Sequence, residues 1–162
     1  MQARDYRQRS CIPPRGATPR KPLNRAKVEM PKKRQDHEPP SAISRRGWRY
    51  HHLGIPTLVS RPGEKYLEHL KIYVSGFDRS PYGIEWMRFQ PDCEVRDLIR
   101  TVPHIAFEVD NLERALRGCE ILGDITSPSD GVRVAMIIDD GAPVELLEFS
   151  KARRGKRRAS ST

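Results

Sequence analysis

The sequence predicts one α+β body made of two similar halves, and three observations carry that prediction. Charge is partitioned along the 162 residues: positions 1–49 hold 14 basic and 4 acidic side chains, positions 50–149 hold 10 and 17, and positions 150–162 hold 6 and none. Nearly all the aromatic side chains and every strong apolar run fall in the acidic middle, so only that part can bury enough surface to offset the entropy of ordering it. Within it, short strand-like runs recur twice in the same order.

Residues 1–46 are expected to be a disordered basic tail. Half of the 14 prolines fall before position 50, and large apolar side chains are almost absent before Trp48. Residues 151–162 have the same character, leaving 47–150 as the folded domain; the chain is too short for a second sizeable core. Met30 lies inside the first tail, and translation from there would remove much of its basic charge. The net charge of +9 suggests nucleic acid, but no recognisable binding motif accompanies the tails. Nucleic-acid association through them is therefore the last-placed alternative, with an affinity that would collapse as salt rises. Cys11, Cys93 and Cys119 show no paired spacing, which points to a reducing compartment rather than a disulfide framework. No apolar run approaches the roughly 18 residues of a membrane span, and the N-terminus is charged where a signal peptide would be apolar. A soluble, cytoplasmic protein without a membrane partner is expected.

Along the body, strands are predicted at Leu53–Leu58, Ile84–Phe89, Ile105–Val109, Cys119–Ile125, Val132–Ile138 and Val144–Phe149. Asp110 and Asn111 offer an N-cap to a short amphipathic helix through Leu112, Ala115 and Leu116, and Gly118 stops it. Residues 62–75 fit a helix through Tyr66, Leu67, Leu70 and Val74, and equally a strand through Leu70, Ile72 and Val74.

The repeat pairs His52-Leu53-Gly54-Ile55 with His104-Ile105-Ala106-Phe107, and Ile84-Glu85-Trp86-Met87-Arg88-Phe89 with Val144-Glu145-Leu146-Leu147-Glu148-Phe149. Each half runs from a His-led strand to a Glu-bearing strand. The interval is 33 residues in the first half and 41 in the second, so the first half has lost a helix or hairpin. Strand alternation sets His104 with Ala106 and Glu108, and Glu145 with Leu147 and Phe149. A carboxylate on an apolar face is costly unless paired, protonated or bound to a cation. Two glutamates and two histidines would explain one another around a divalent ion: Zn, Ni, Co, Fe or Mn. His51 competes with His52, but alternation sends it to the opposite face, and the register with His104 selects His52. Taken singly, each residue has a plainer role. His104 reads as a hydrogen-bonded structural histidine, Glu108 and Glu148 as rim charges, Arg133 as a solvated cation, and Tyr82 and Trp86 as core aromatics.

The His, Glu, His, Glu order on paired halves resembles the vicinal oxygen chelate superfamily, also called the glyoxalase fold, over about residues 50–149. Glyoxalase-like proteins of unassigned reaction are similar around His51–Pro56, Pro81–Trp86 and Val102–Phe107. The resemblance implies paired βαβββ modules in a curved mixed sheet, with the first module shortened. It also implies His52, Glu85, His104 and Glu145 as ligands of one metal, which takes adjacent substrate oxygens at its open positions. The implied activity is metal-dependent isomerase, epimerase or lyase chemistry on a small oxygenated metabolite. A metal-stabilised enolate would form there, with Glu85 or Glu145 as the catalytic base. A carboxylate at the fourth position argues against the oxygen chemistry of three-ligand iron dioxygenases. A non-catalytic small-ligand-binding module of the same fold is the alternative, and the superfamily's habit of closing half-barrel edges implies a homodimer.

Overall fold

A computed structural model describes residues 33–153, and within them the compact unit begins at Asp36. The tails expected at 1–46 and 151–162 lie for the most part outside the described residues. In the part that is described, one helical turn, α1 (Ser41–Ser44), leads to Trp48. Ala42 and Trp48 both pack against the core, with the Trp48 ring 5.9 Å from Phe107.

The first half comprises β1 (Arg49–Pro56), β2 (Lys65–Leu67), a single 3-10 turn (Glu68–Leu70), β3 (Ile72–Ser75) and β4 (Ile84–Phe89). A short connecting helix, α2 (Asp97–Thr101), which the sequence patterning does not announce, leads to the second half. That half is β5 (His104–Val109), α3 (Leu112–Ala115), β6 (Glu120–Ile121), β7 (Thr126–Ser129), β8 (Val132–Asp139) and β9 (Ala142–Phe149). All the strands join one curved mixed sheet in the order β2-β3-β4-β1-β5-β9-β8-β6, with β7 also on β8. In each half the first strand pairs its last strand in parallel, β1 with β4 and β5 with β9, and the halves meet where β1 and β5 run antiparallel. An approximate twofold axis at that seam relates the two modules.

The second module keeps its helix. Asn111 caps it, its side chain accepting from the Arg114 N–H at 2.7 Å, as the sequence predicts for a polar residue ahead of an apolar face. Leu112, Ala115 and Leu116 are buried against Phe107, Val109, Ala135, Ile137 and Leu146 on the outer face of the sheet. Gly118, at φ 75°, turns the chain away.

The first module has no helix between β1 and β2, as its shorter interval predicts. Residues 57–64 form a strap instead, in which Arg61 lies 3.6 Å over the Trp86 ring. Glu64 accepts two bonds from the Arg88 guanidinium, and that guanidinium itself stacks 4.0 Å over Tyr73. A guanidinium plane covers an aromatic face much as an aliphatic side chain would while keeping its charge near water.

Residues 62–75, which fit helix and strand equally, are divided between β2, the turn and β3. Lys71 at φ 55° makes the corner, and Tyr66 pairs with Tyr73 across the hairpin. The strand expected at Cys119–Ile125 is shorter than predicted. Only Glu120–Ile121 pairs with β8 before Gly123 (φ 83°) bends the chain, which returns as β7 further along the same strand. Among the described residues no helix is long and apolar enough to cross a membrane.

Candidate metal centre

Register brings the repeated motifs together. Across the seam His52 faces Ala106 and His104 faces Gly54, while in the parallel ladders Glu85 sits beside Gly54 and Glu145 beside Ala106. The twofold axis exchanges each of these pairs with its partner. The small residue two places after each histidine has a steric reason. A Cβ on Gly54 would lie 2.2 Å from His104 Cε1, so the imidazole rests directly on the glycine backbone.

The two imidazoles converge on one carboxylate. His104 Nε2 lies 3.0 Å from Glu145 Oε2, and His52 Nε2 lies 3.1 Å from the same oxygen. His52, His104 and Glu145 each present a ligand atom within 4.8 Å of the others'. Glu85 stands just outside that trio, its Oε2 3.5 Å from His52 Nε2. Both histidines are buried, at 4% and 1% exposure, and the carboxylates are largely so.

Two imidazole nitrogens and a carboxylate oxygen suit a borderline first-row divalent ion. One further observation supports the fit. His52 Nε2 is buried and close to Glu145, yet is not aligned with any hydrogen-bond partner. A nitrogen aimed into shared space at a cost of about 1–3 kcal/mol is what a metal ligand requires.

The electrostatics of the group follow from its burial and crowding. Desolvation is the largest influence on His52 and would lower its pKa, but contact with Glu145 and the charges of Glu145 and Glu85 outweigh it, so the net shift is upward. Glu145 is likewise opposed by desolvation. The contact with His104, the close approach of His52 and the charges of both prevail and hold its carboxyl at about 2. Glu85, lacking such bonds, is raised: burial dominates, the Glu145 charge adds to it, and the two histidines offset only part.

Alternation fails at His51. The ladder between β1 and β5 slips between Tyr50 and His52, and this bulge turns His51 to the same side as His52 instead of the opposite face. Its Nδ1 lies 2.8 Å from His52 Nδ1, and its ring stacks on Phe77 at 5.0 Å and lies 5.5 Å from Phe149. The residue at the equivalent place before His104 is Pro103, which has no side-chain polar group, and His104 Nδ1 is buried without a partner among the described residues. The other residues weighed from sequence lie away from the cluster. Arg133 pairs with Glu113 and Glu148, and Glu108 with Arg49. Trp86 lies under the strap, and Tyr82 is 74% exposed.

Two cavities flank the cluster, sharing Leu70, Ile72, Met87 and Glu145 as walls. One, of about 810 Å³, reaches His104; the other, of about 450 Å³, reaches His51, His52 and Glu85. Strand alternation sets Met87 on the face of Glu85, but sequence reasoning had no means of finding Leu70 and Ile72 as cavity walls, because their facing depends on how β3 and the turn before it meet β4.

Together, the paired modules and the inward cluster define the glyoxalase fold. No family model and no curated protein matches the chain. Among solved structures, a hypothetical protein from Bacillus halodurans is 16% identical, with a TM-score of 0.51 over 64% of this chain and 96% of that one. A methylmalonyl-CoA epimerase from Mycobacterium tuberculosis is also 16% identical, with a TM-score of 0.43 over 66% of this chain and 91% of that one. Likeness at this identity speaks to fold alone.

Proposed function

We propose that the chain is a metal-dependent enzyme of the vicinal oxygen chelate superfamily. Its reaction would be an isomerisation, epimerisation or elimination on a small oxygenated metabolite. The observation that carries this reading is the convergence of His52 and His104, one from each module, on Glu145 at the junction of two cavities. These three residues would hold the ion, with Glu85 as fourth ligand. A divalent ion bound there supplies a Lewis acid that makes the carbon beside a substrate carbonyl more acidic.

Proton transfer is assigned to Glu85. Glu145 is tied to both imidazoles, whereas Glu85 is held by one contact at 3.5 Å and lines the smaller cavity. Its carboxylate takes the proton from the carbon beside the carbonyl, the electron pair of the broken C–H bond moving onto the carbonyl oxygen. The resulting carboxylic acid returns a proton to the same carbon or to a neighbouring one. Burial raises the pKa of this group, which strengthens it as a base. The apolar walls Leu70, Ile72 and Met87 keep bulk water from competing for the proton.

Elemental analysis of the purified chain tests the metal. About one first-row divalent ion per chain is expected, lost in His104→Ala and retained in Glu85→Gln. Deuterium wash-in from D₂O into a panel of 2-oxo acids, followed by NMR, tests the base and is expected to stop in Glu85→Gln. A wild-type chain that takes up no stoichiometric Co, Ni, Zn, Mn or Fe when each is supplied would overturn the proposal.

A further inference from the structure

The smaller cavity is lined by the acidic and imidazole groups His52, Glu85 and Glu145, by the apolar Phe77, Leu147 and Phe149, and by Arg153. Side chains at alternate positions along β9 share a face, so Glu145, Leu147 and Phe149 form a continuous line of about 13 Å leading away from the cluster. Arg153 follows the end of that strand. Its turn is docked rather than loose: the Ser150 N–H donates to the Gly131 carbonyl at 2.9 Å. Gly131 holds a φ of 69°, a conformation that side-chain-bearing residues rarely adopt.

The Arg153 guanidinium donates to the Asp130 carbonyl and to Ser129 Oγ. Both partners are neutral, and among the described residues Arg153 forms no ion pair. The contrast with the larger cavity is informative. There Lys71 is paired with Asp92 at 2.7 Å, and Glu94 and Asp124 stand in the same wall as Arg96. Arg153 is exposed, and a cation without an ion pair beside an apolar passage suits an anion on a hydrophobic stem.

We infer that the substrate is an oxo acid with a remote carboxylate, which pairs with Arg153 while an apolar spacer packs along Phe77 and Phe149 and the oxo end reaches His52, Glu85 and Glu145. This rests on the proposed function for the placement of the oxo end. It adds the anionic end and the residue that selects it.

The test compares 2-oxosuberate with 2-oxooctanoate, which share a head and chain length but differ in the far carboxylate. Binding to the full chain loaded with Co(II) is measured by calorimetry at low salt, with metal content determined on the same samples. The dicarboxylate is expected to bind about tenfold more tightly. That ratio should fall towards one in Arg153→Gln and be partly kept in Arg153→Lys, with 2-oxooctanoate binding unchanged in both. Equal binding of the two acids by the wild type, no binding of either, or a ratio that survives Arg153→Gln overturns the inference. Failure of the wild type to hold Co(II) would instead count against the proposed function, whereas those outcomes in a chain shown to carry its full complement of metal count against this inference alone.

Discussion

At the scale of single residues, the arrangement around His52 depends on a hydrogen bond to a neighbour in sequence. His52 Nδ1 lies 2.8 Å from His51 Nδ1, and a metal ion on His52 Nε2 would put the proton of His52 on Nδ1, facing His51 as its acceptor. A second imidazole in that role fixes both ring orientation and tautomer, and partners of this kind typically contribute 10- to 100-fold in metal affinity. His51→Phe preserves the ring that stacks on Phe77 but removes the acceptor. It is expected to weaken Co(II) binding by about 10- to 100-fold while leaving thermal stability nearly unchanged, as measured by competition with a chelator and by melting. His52 and His104 were legible in the sequence because each immediately precedes an aliphatic residue and is followed two places later by a small one. His51 was not, since alternation holds only for a regular strand and a bulge gives no unambiguous signal in side-chain identity.

At the scale of elements, the two modules cover the same face of the sheet by different means. The apolar stripe of α3 was legible because a helix with a capping residue writes its period into consecutive positions. The strap of the first module was not, since the contacts of Arg61 with Trp86 and of Glu64 with Arg88 join residues 24 or 25 apart and follow no local period. The same reason explains residues 62–75, where pairing with β4 overrides an even balance of helix and strand patterns. The strap carries its own pH dependence. The hydrogen bonds of Arg88 are the main influence lowering the Glu64 carboxyl from its ordinary value of 4.5 to about 2. A lowered carboxyl contributes stability that is present above the unfolded value and is lost as pH falls through the folded one. The strap is therefore expected to hold down to about pH 4.5 and to loosen towards pH 2. Tryptophan fluorescence should follow it as the Arg61 stack on Trp86 is released, and in Glu64→Gln the change over that interval should be absent.

At the scale of the whole molecule, the seam between β1 and β5 ties function to folding. Because His52 comes from one module and His104 and Glu145 from the other, an ion that binds only the folded chain must stabilise both halves together. Co(II) at a thousand times its dissociation constant is expected to raise the unfolding free energy by about 4 kcal/mol. Calorimetric melting should show the effect as a concentration-dependent rise in midpoint that His104→Ala abolishes. The amino-acid order alone determined that there are two like halves, that each carries one histidine and one glutamate on a strand, and that the first half is the shorter. These are local patterns of period and spacing, readable wherever neighbours in the chain are neighbours on an element. Tertiary structure decided which groups meet: that Glu145 is shared by both imidazoles while Glu85 stands apart, that His51 joins them, and that Arg153 closes the smaller cavity. Those outcomes depend on strand register and on a bulge, which are set by the packing of distant segments and not by any one of them.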